Sequence, residues 1–213
     1  MTRISVFGGT GYTGGHLVAE AARRGHEVTS FSRTLPEQRV DGVRYEQGSL
    51  LDETTRRAAL EAADVLVVAV APRGDMEGAV RTGIAALAAE AEQAGVRLGV
   101  VGGAGSLHVA EGGPQLFDTP EFPADYKPES LEMAGALDDL RTTGTLDWFY
   151  LCPPAGYGAY APGEERGAYR VGGDLLLTDA EGNSFIGGAD FACALVDEIE
   201  TPAHRRARFT VAY

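Results

Sequence analysis

Short apolar runs alternate with helical periodicity along the whole 213-residue chain. The run DVLVVAVA (64–71) is apolar at nearly every position, which is typical of a strand buried on both faces of a sheet. Between such runs, apolar residues recur every three or four positions and predict amphipathic helices. Strands are predicted at 3–7, 26–31, 43–47, 64–71, 96–103, 146–151 and 206–213, with a hairpin at 167–179, and helices at 17–23, 52–63, 76–94, from Pro128 and at 189–200.

This alternation predicts an α/β fold, a doubly wound and mostly parallel sheet with helices on both faces. A small C-terminal region is expected to add to the substrate side. No linker, repeat or low-complexity tract divides the sequence, so we predict one domain over 1–213. Because long loops are usually functional, 104–128 and 152–188 are predicted to form the substrate-side loops and hairpin.

Three glycines mark the first strand-to-helix junction. Gly8, Gly11 and Gly14 form G-x-x-G-x-x-G between strand 3–7 and the next helix. Gly8 would turn the chain sharply out of the strand, Gly11 would let the backbone approach a pyrophosphate, and Gly14 would bring the helix close to the sheet. The N–H groups of that helix would then meet the anion. The pattern in this context predicts a dinucleotide site, and a tight turn without a ligand is the alternative.

The second strand ends in FSRT, where NAD-binding folds usually carry an acid for the ribose 2′-hydroxyl. Here Ser32 and Arg33 stand in its place. An arginine would pair with a 2′-phosphate, so NADP(H) is favoured over NAD(H). Arg39 could serve the same purpose.

Charge and composition exclude several classes of function. A formal net charge of −13 disfavours nucleic acid and anionic membrane surfaces as partners. The N-terminal MTRISVFGG lacks a long apolar region, and no later run is long enough to span a membrane, so we expect a cytoplasmic protein, monomeric or homodimeric. The histidines share no ligand spacing, and no metal site is predicted.

Longer segments resemble the atypical (extended-type) short-chain dehydrogenase/reductase superfamily, and within it the NADH-flavin reductase group related to biliverdin reductase B and NmrA-like proteins. The segments that carry the resemblance are FGGTGYTG (7–14), GSLLD (48–52), VVGGAGSL (100–107), DTPEFPADYKPES (118–130), LDWFYLCPPAG (146–156), YRVGGDLLLTDAEGNSFI (169–186) and RFTVAY (208–213). The resemblance covers essentially the whole chain and implies a single NAD(P)-binding Rossmann domain.

It also implies roles for individual residues. Thr10, Gly11, Tyr12 and Thr13 would wrap the pyrophosphate, and Arg33 would bind the 2′-phosphate. The remaining implied contacts are Ser49 and Leu50 with adenine, Val70, Ala71 and Pro72 with the ribose, and Gly102, Gly103, Ala104, Pro153, Pro154 and Ala155 beside the nicotinamide.

The sequence lacks the usual catalytic pair of that superfamily, a tyrosine followed four residues later by a lysine. Lys127 is the only lysine, and Pro123 precedes it by four. Hydride transfer to a flavin, quinone or similar planar acceptor fits this absence, with FMN or FAD as substrate rather than resident cofactor. His108, Tyr126 and Ser106 are the candidate proton donors. A non-catalytic NADP(H)-binding redox sensor and a pathway-specific reductase or isomerase are the alternatives.

Overall fold

A computed structural model describes residues 1–213 and contains one eight-stranded sheet. The strands are β1 (Arg3–Phe7), β2 (Glu27–Ser32), β3 (Val43–Gln47), β4 (Val65–Val68), β5 (Arg97–Val101), β6 (Trp148–Cys152), β7 (Arg170–Gly172) and β8 (Ala207–Ala212). The helices are α1 (Tyr12–Arg23), α2 (Glu53–Glu61), α3 (Val80–Ala94), α4 (Lys127–Arg141) and α5 (Gly188–Glu200). The strand order is β3-β2-β1-β4-β5-β6-β8-β7, and every neighbouring pair is parallel except β7 with β8.

Helices cover both faces of the sheet. Alternate residues of β4 enter opposite cores: Leu66 and Val68 pack with α2, α3 and α4, whereas Val65 and Val67 pack with α1 and α5. All of β4 is buried, which explains why its sequence is apolar throughout rather than alternating. The predicted doubly wound α/β fold is confirmed.

The direction of winding reverses between β1 and β4. From β1 the chain extends through β2 to β3, and from β4 it extends in the opposite direction through β5 to β6. Loops leaving the carboxyl ends of two such strands diverge and open a crevice, which is where open α/β sheets bind ligands. The glycine turn follows β1 at this position.

The predicted hairpin at 167–179 is wrong. Only β7 forms a strand there, and it pairs antiparallel with β8 rather than with the residues that follow it. The next segment instead contacts the loop after β5: the His108 N–H donates to the Asp174 carbonyl and the Leu176 N–H to the His108 carbonyl, each at 2.9 Å. Strand β8 and His108 thus pair with backbone groups of this region, and a hairpin within it is not required to satisfy them.

Other helices and strands begin or end a few residues from their predicted bounds. Helix α3 begins at Val80, because Gly74 and Gly78 adopt φ of +57° and +73° and confine Met76 to a short 3₁₀ turn. The loop 104–128 contains three further 3₁₀ turns, and α4 begins at Lys127. No helix in the structure has the length and apolar character that crossing a bilayer requires.

Candidate functional site

The three glycines of the turn after β1 meet different constraints. Gly8 has φ of +84°, and a Cβ there would lie 2.5 Å from the Ala69 carbonyl oxygen. A Cβ on Gly14 would lie 2.1 Å from the Gly8 carbonyl oxygen. On Gly11 the only neighbour within 4 Å would be that same oxygen, at an ordinary 3.4 Å. The protein itself therefore requires glycine at the first and third positions, whereas the second leaves open space in front of the backbone.

Helix α1 begins beside this open space with unpaired donors. Its N-cap, Gly11, offers no side-chain cap, and the first turn contains no acidic residue. The backbone N–H groups of Tyr12, Thr13 and Gly14 donate to no protein atom. Unpaired N–H groups and the positive end of the helix dipole together favour a bound anion, phosphate in particular.

A cleft of about 200 Å³ continues from the turn across the carboxyl ends of β1, β2 and β4. Arg33 is the only charged residue in its lining, and its Nη1 atom makes only a long, solvent-exposed contact of 3.4 Å with Asp75. The Ser32 hydroxyl in the same wall is buried and has no partner. The predicted cofactor residues that line the cleft are Gly8, Thr10, Gly11, Ser32, Arg33, Ser49, Leu50, Val70 and Ala71.

Tyr12, Thr13 and Gly14 lie in the first turn of α1, and the other predicted contacts follow β4, β5 and β6 along the same edge of the sheet. Pro72 is buried directly after the cleft segment. Gly102 leaves β5 so close to Tyr150 that a Cβ would lie 2.0 Å from its ring, whereas a Cβ on Gly103 would meet nothing. Pro153 and Pro154, both buried, and the exposed Ala155 follow β6. Gly103 and Ala104 stay partly exposed at this edge.

Two of the three predicted proton donors are engaged within the protein. Ser106 is buried, and Arg208 donates to its carbonyl at 2.9 Å and to its hydroxyl oxygen at 3.1 Å. His108 lies in a tight turn, with its Nδ1 atom 2.8 Å from the Gly113 carbonyl oxygen. The imidazole therefore bonds inside its own loop.

Tyr126 differs, because its hydroxyl has no hydrogen-bond partner and 46% of the residue is exposed. The Arg73 guanidinium lies 5.8 Å from the centre of its ring and bonds to Glu129 in the first turn of α4. Because Arg73 directly follows the predicted ribose segment, these contacts bring Tyr126 to the same edge of the sheet. Sequence reasoning missed Arg73 and Arg208, since their partners are distant in the chain and no local motif signals them.

A group of aromatic side chains joins α1 to the loop that follows β6. The Tyr157 hydroxyl donates to Thr13 Oγ1, and the Tyr12 hydroxyl donates to the Pro162 carbonyl, both at 2.9 Å. Burial raises the pKa of both phenols, so both remain protonated donors. His16 packs edge-on against Tyr12. Burial lowers the pKa of this histidine, so its imidazole adds no positive charge near neutral pH.

No set of three or more His, Cys, Asp or Glu side chains is grouped so that it could hold a metal ion. Burial raises the pKa of the Cys152 thiol to about 12, which leaves it neutral and weakly nucleophilic.

A mostly parallel sheet with a reversal point, a glycine turn and a helix start with unpaired donors is typical of a dinucleotide-binding α/β protein. The sequence matches the NAD(P)H-binding family over residues 8–202, and the chain belongs to that family.

Individual relatives cover nearly the entire chain. The uncharacterized protein YwnB of Bacillus subtilis is 35% identical over 98% of this chain and 97% of its own. A Burkholderia pseudomallei crystal structure, provisionally named an exported protein, is 39% identical with a TM-score of 0.83 and complete coverage of both chains. SP1627 of Streptococcus pneumoniae, provisionally named an NADH-flavin reductase, is 30% identical with a TM-score of 0.84, over 100% of this chain and 99% of its own.

Proposed function

We propose that this protein is an NADPH-dependent oxidoreductase that delivers hydride to a flavin, a quinone or a similar planar acceptor. One observation carries the proposal: the unpaired N–H groups at the start of α1 adjoin a cleft in which Arg33 is the only charged residue. A dinucleotide with an additional 2′-phosphate matches both features, because each presents donors to a phosphate.

The residues present fit this cofactor. Thr10, Gly11, Tyr12 and Thr13 would hold the pyrophosphate at the start of α1, and Arg33 would hold the 2′-phosphate. The unpaired Ser32 hydroxyl could accept a hydrogen bond from, or donate one to, a ribose hydroxyl or phosphate beside it. When bound, NADPH supplies the hydride. The protein would orient the nicotinamide ring against the ring of the acceptor.

The choice of acceptor rests on what the substrate side lacks. The usual pair is a tyrosine followed four residues later by a lysine. The only lysine here, Lys127, has Pro123 at that position, and its ammonium lies 3.6 Å from the Asp118 carboxylate. Electron-poor rings accept hydride without a strong acid beside them, and solvent can complete their protonation. The name given to SP1627 points to the same class of acceptor.

We also propose that the protein works in the cytoplasm, where reduced nicotinamide nucleotides are regenerated. The name of the Burkholderia relative indicates another compartment for that protein. Fractionation of cells producing the full chain distinguishes the two: co-purification with the cytoplasmic fraction supports the proposal, and recovery outside the cell membrane contradicts it.

The test combines binding with turnover. Dissociation constants for NADPH and NADH are measured first, and the loss of reduced-nicotinamide absorbance is then followed after adding FMN, riboflavin or a soluble quinone. Preferred NADPH binding with acceptor-dependent oxidation is the expected result. Tight binding without oxidation would favour a redox sensor, and turnover limited to another substrate would favour a pathway-specific reductase or isomerase.

A further inference from the structure

We propose that Tyr157 positions the Thr13 hydroxyl for the cofactor's pyrophosphate without itself touching the cofactor, an inference that rests on the dinucleotide site proposed above. The Tyr157 hydroxyl lies 2.9 Å from Thr13 Oγ1, although 144 residues separate the two in sequence. Thr13 is the second residue of α1, among the backbone N–H groups that have no partner in the protein. Tyr157 follows the segment predicted to flank the nicotinamide.

The donors and acceptors available fix the direction of the hydrogen bond between Tyr157 and Thr13. A threonine hydroxyl has one proton to donate, and Thr13 donates it to no protein acceptor. Tyr157 keeps its proton because burial raises the pKa of its phenol. Phosphate oxygens only accept, so the donors run from Tyr157 to Thr13 to phosphate. Each donor in such a chain polarises the next, which strengthens the terminal bond.

The surroundings of Tyr157 fix its hydroxyl in place. Its ring packs against Phe191 of α5 at 4.5 Å between ring centres and against Tyr12 of α1 at 5.5 Å. Tyr12 is itself tied to the same loop through the Pro162 carbonyl. The side chain is therefore held from both helices of this face before any ligand arrives, and little conformational freedom remains to be lost on binding.

The test compares two ligands on one set of variants. NADP⁺ contains the pyrophosphate, whereas adenosine 2′-monophosphate contains the adenosine and 2′-phosphate without it. Tyr157→Phe removes only the hydroxyl, and we expect NADP⁺ to bind about threefold to tenfold more weakly while the monophosphate binds as before. Tyr169→Phe is the matched control, because that half-buried phenol bonds to Asp197 near the opposite end of α1.

Thr13→Val supplies the second arm. Once the Thr13 hydroxyl is gone, adding Tyr157→Phe should cost no further NADP⁺ affinity, whereas Thr13→Ser should retain the dependence on Tyr157. Unchanged NADP⁺ affinity in Tyr157→Phe, an equal loss for both ligands, or additive losses in the double variant would each overturn the inference. All readouts are binding constants, so the test stands even if the protein reduces none of the acceptors tried.

Discussion

The two ends of α1 treat their polar groups in opposite ways. At the C-terminal end Glu20 accepts from Arg23 and Arg24 at 2.7 Å, and Arg24 also pairs with Asp197 and Glu200 on α5 at 2.6 and 2.7 Å. At the N-terminal end three backbone donors have no partner. Since buried polar groups normally have hydrogen-bond partners, we propose that the unpaired end binds the ligand, whereas the paired end joins α1 to α5.

Gly11→Asp should break the N-terminal end with the largest effect. A carboxylate there faces the predicted pyrophosphate, and a juxtaposition of like charges costs several kcal/mol, so NADP⁺ affinity should fall more than about 100-fold. The free energy of unfolding should change by less than about 1 kcal/mol, because the new Cβ meets only the Gly8 carbonyl oxygen at 3.4 Å. Titration calorimetry and urea unfolding measure the two quantities.

Gly14→Ala is the contrasting variant in the same turn. Its methyl group would lie 2.1 Å from the Gly8 carbonyl oxygen, so it should lower the free energy of unfolding by about 1–3 kcal/mol. If Gly11→Asp were as destabilising as Gly14→Ala, or if it bound NADP⁺ normally, the ligand site would not lie at the second glycine.

Arg33→Asp should have the next largest effect, on cofactor choice. Hydrogen bonds to charged groups contribute about 1.5–3 kcal/mol, so the preference for NADPH over NADH should fall by about 10- to 100-fold. Arg39→Asp is the matched control, since that guanidinium lies 5.8 Å from the Tyr45 ring centre and outside the cleft lining. A ratio that moves only with Arg39→Asp would transfer the 2′-phosphate contact to Arg39.

Glu20→Gln should weaken the C-terminal end without changing binding. The Arg23 hydrogen bond, and then those of Arg24, lower the folded-state pKa of Glu20 from 4.5 to about 2. A depressed pKa stabilises the fold above the unfolded-state value, and this stabilisation is lost as the pH falls from 4.5 toward 2. We expect Glu20→Gln to cost about 2 kcal/mol of unfolding free energy at neutral pH.

The difference between wild type and Glu20→Gln should then shrink across that acidic interval. Urea unfolding at several pH values measures it, with Glu111→Gln as the control because Glu111 is exposed and makes no ion pair. A difference that stays constant with pH would mean that the carboxylate charge is not what stabilises this end of α1.

The fold and the glycine turn after β1 follow from local sequence. Apolar runs, helical periodicity and the glycine spacing are determined by neighbours a few residues apart, so the sheet, its helices and the turn at Gly8 and Gly14 were predictable. The contacts of Arg208 with Ser106 and of Tyr157 with Thr13 join residues more than 100 positions apart. The failed hairpin after β7 has the same cause, since its partners, β8 and His108, are distant in the chain.

The smallest effect is expected on the turnover number, when the three candidate proton donors are compared by whether their polar groups are paired. Ser106 and His108 are hydrogen-bonded inside the protein, whereas the Tyr126 hydroxyl has no partner and is half-exposed. Tyr126→Phe should therefore lower the turnover number more than Ser106→Ala or His108→Asn, yet by only about threefold, because water can reach the same position and protonate the acceptor. A loss of about 100-fold or more in any of the three would identify a positioned general acid instead.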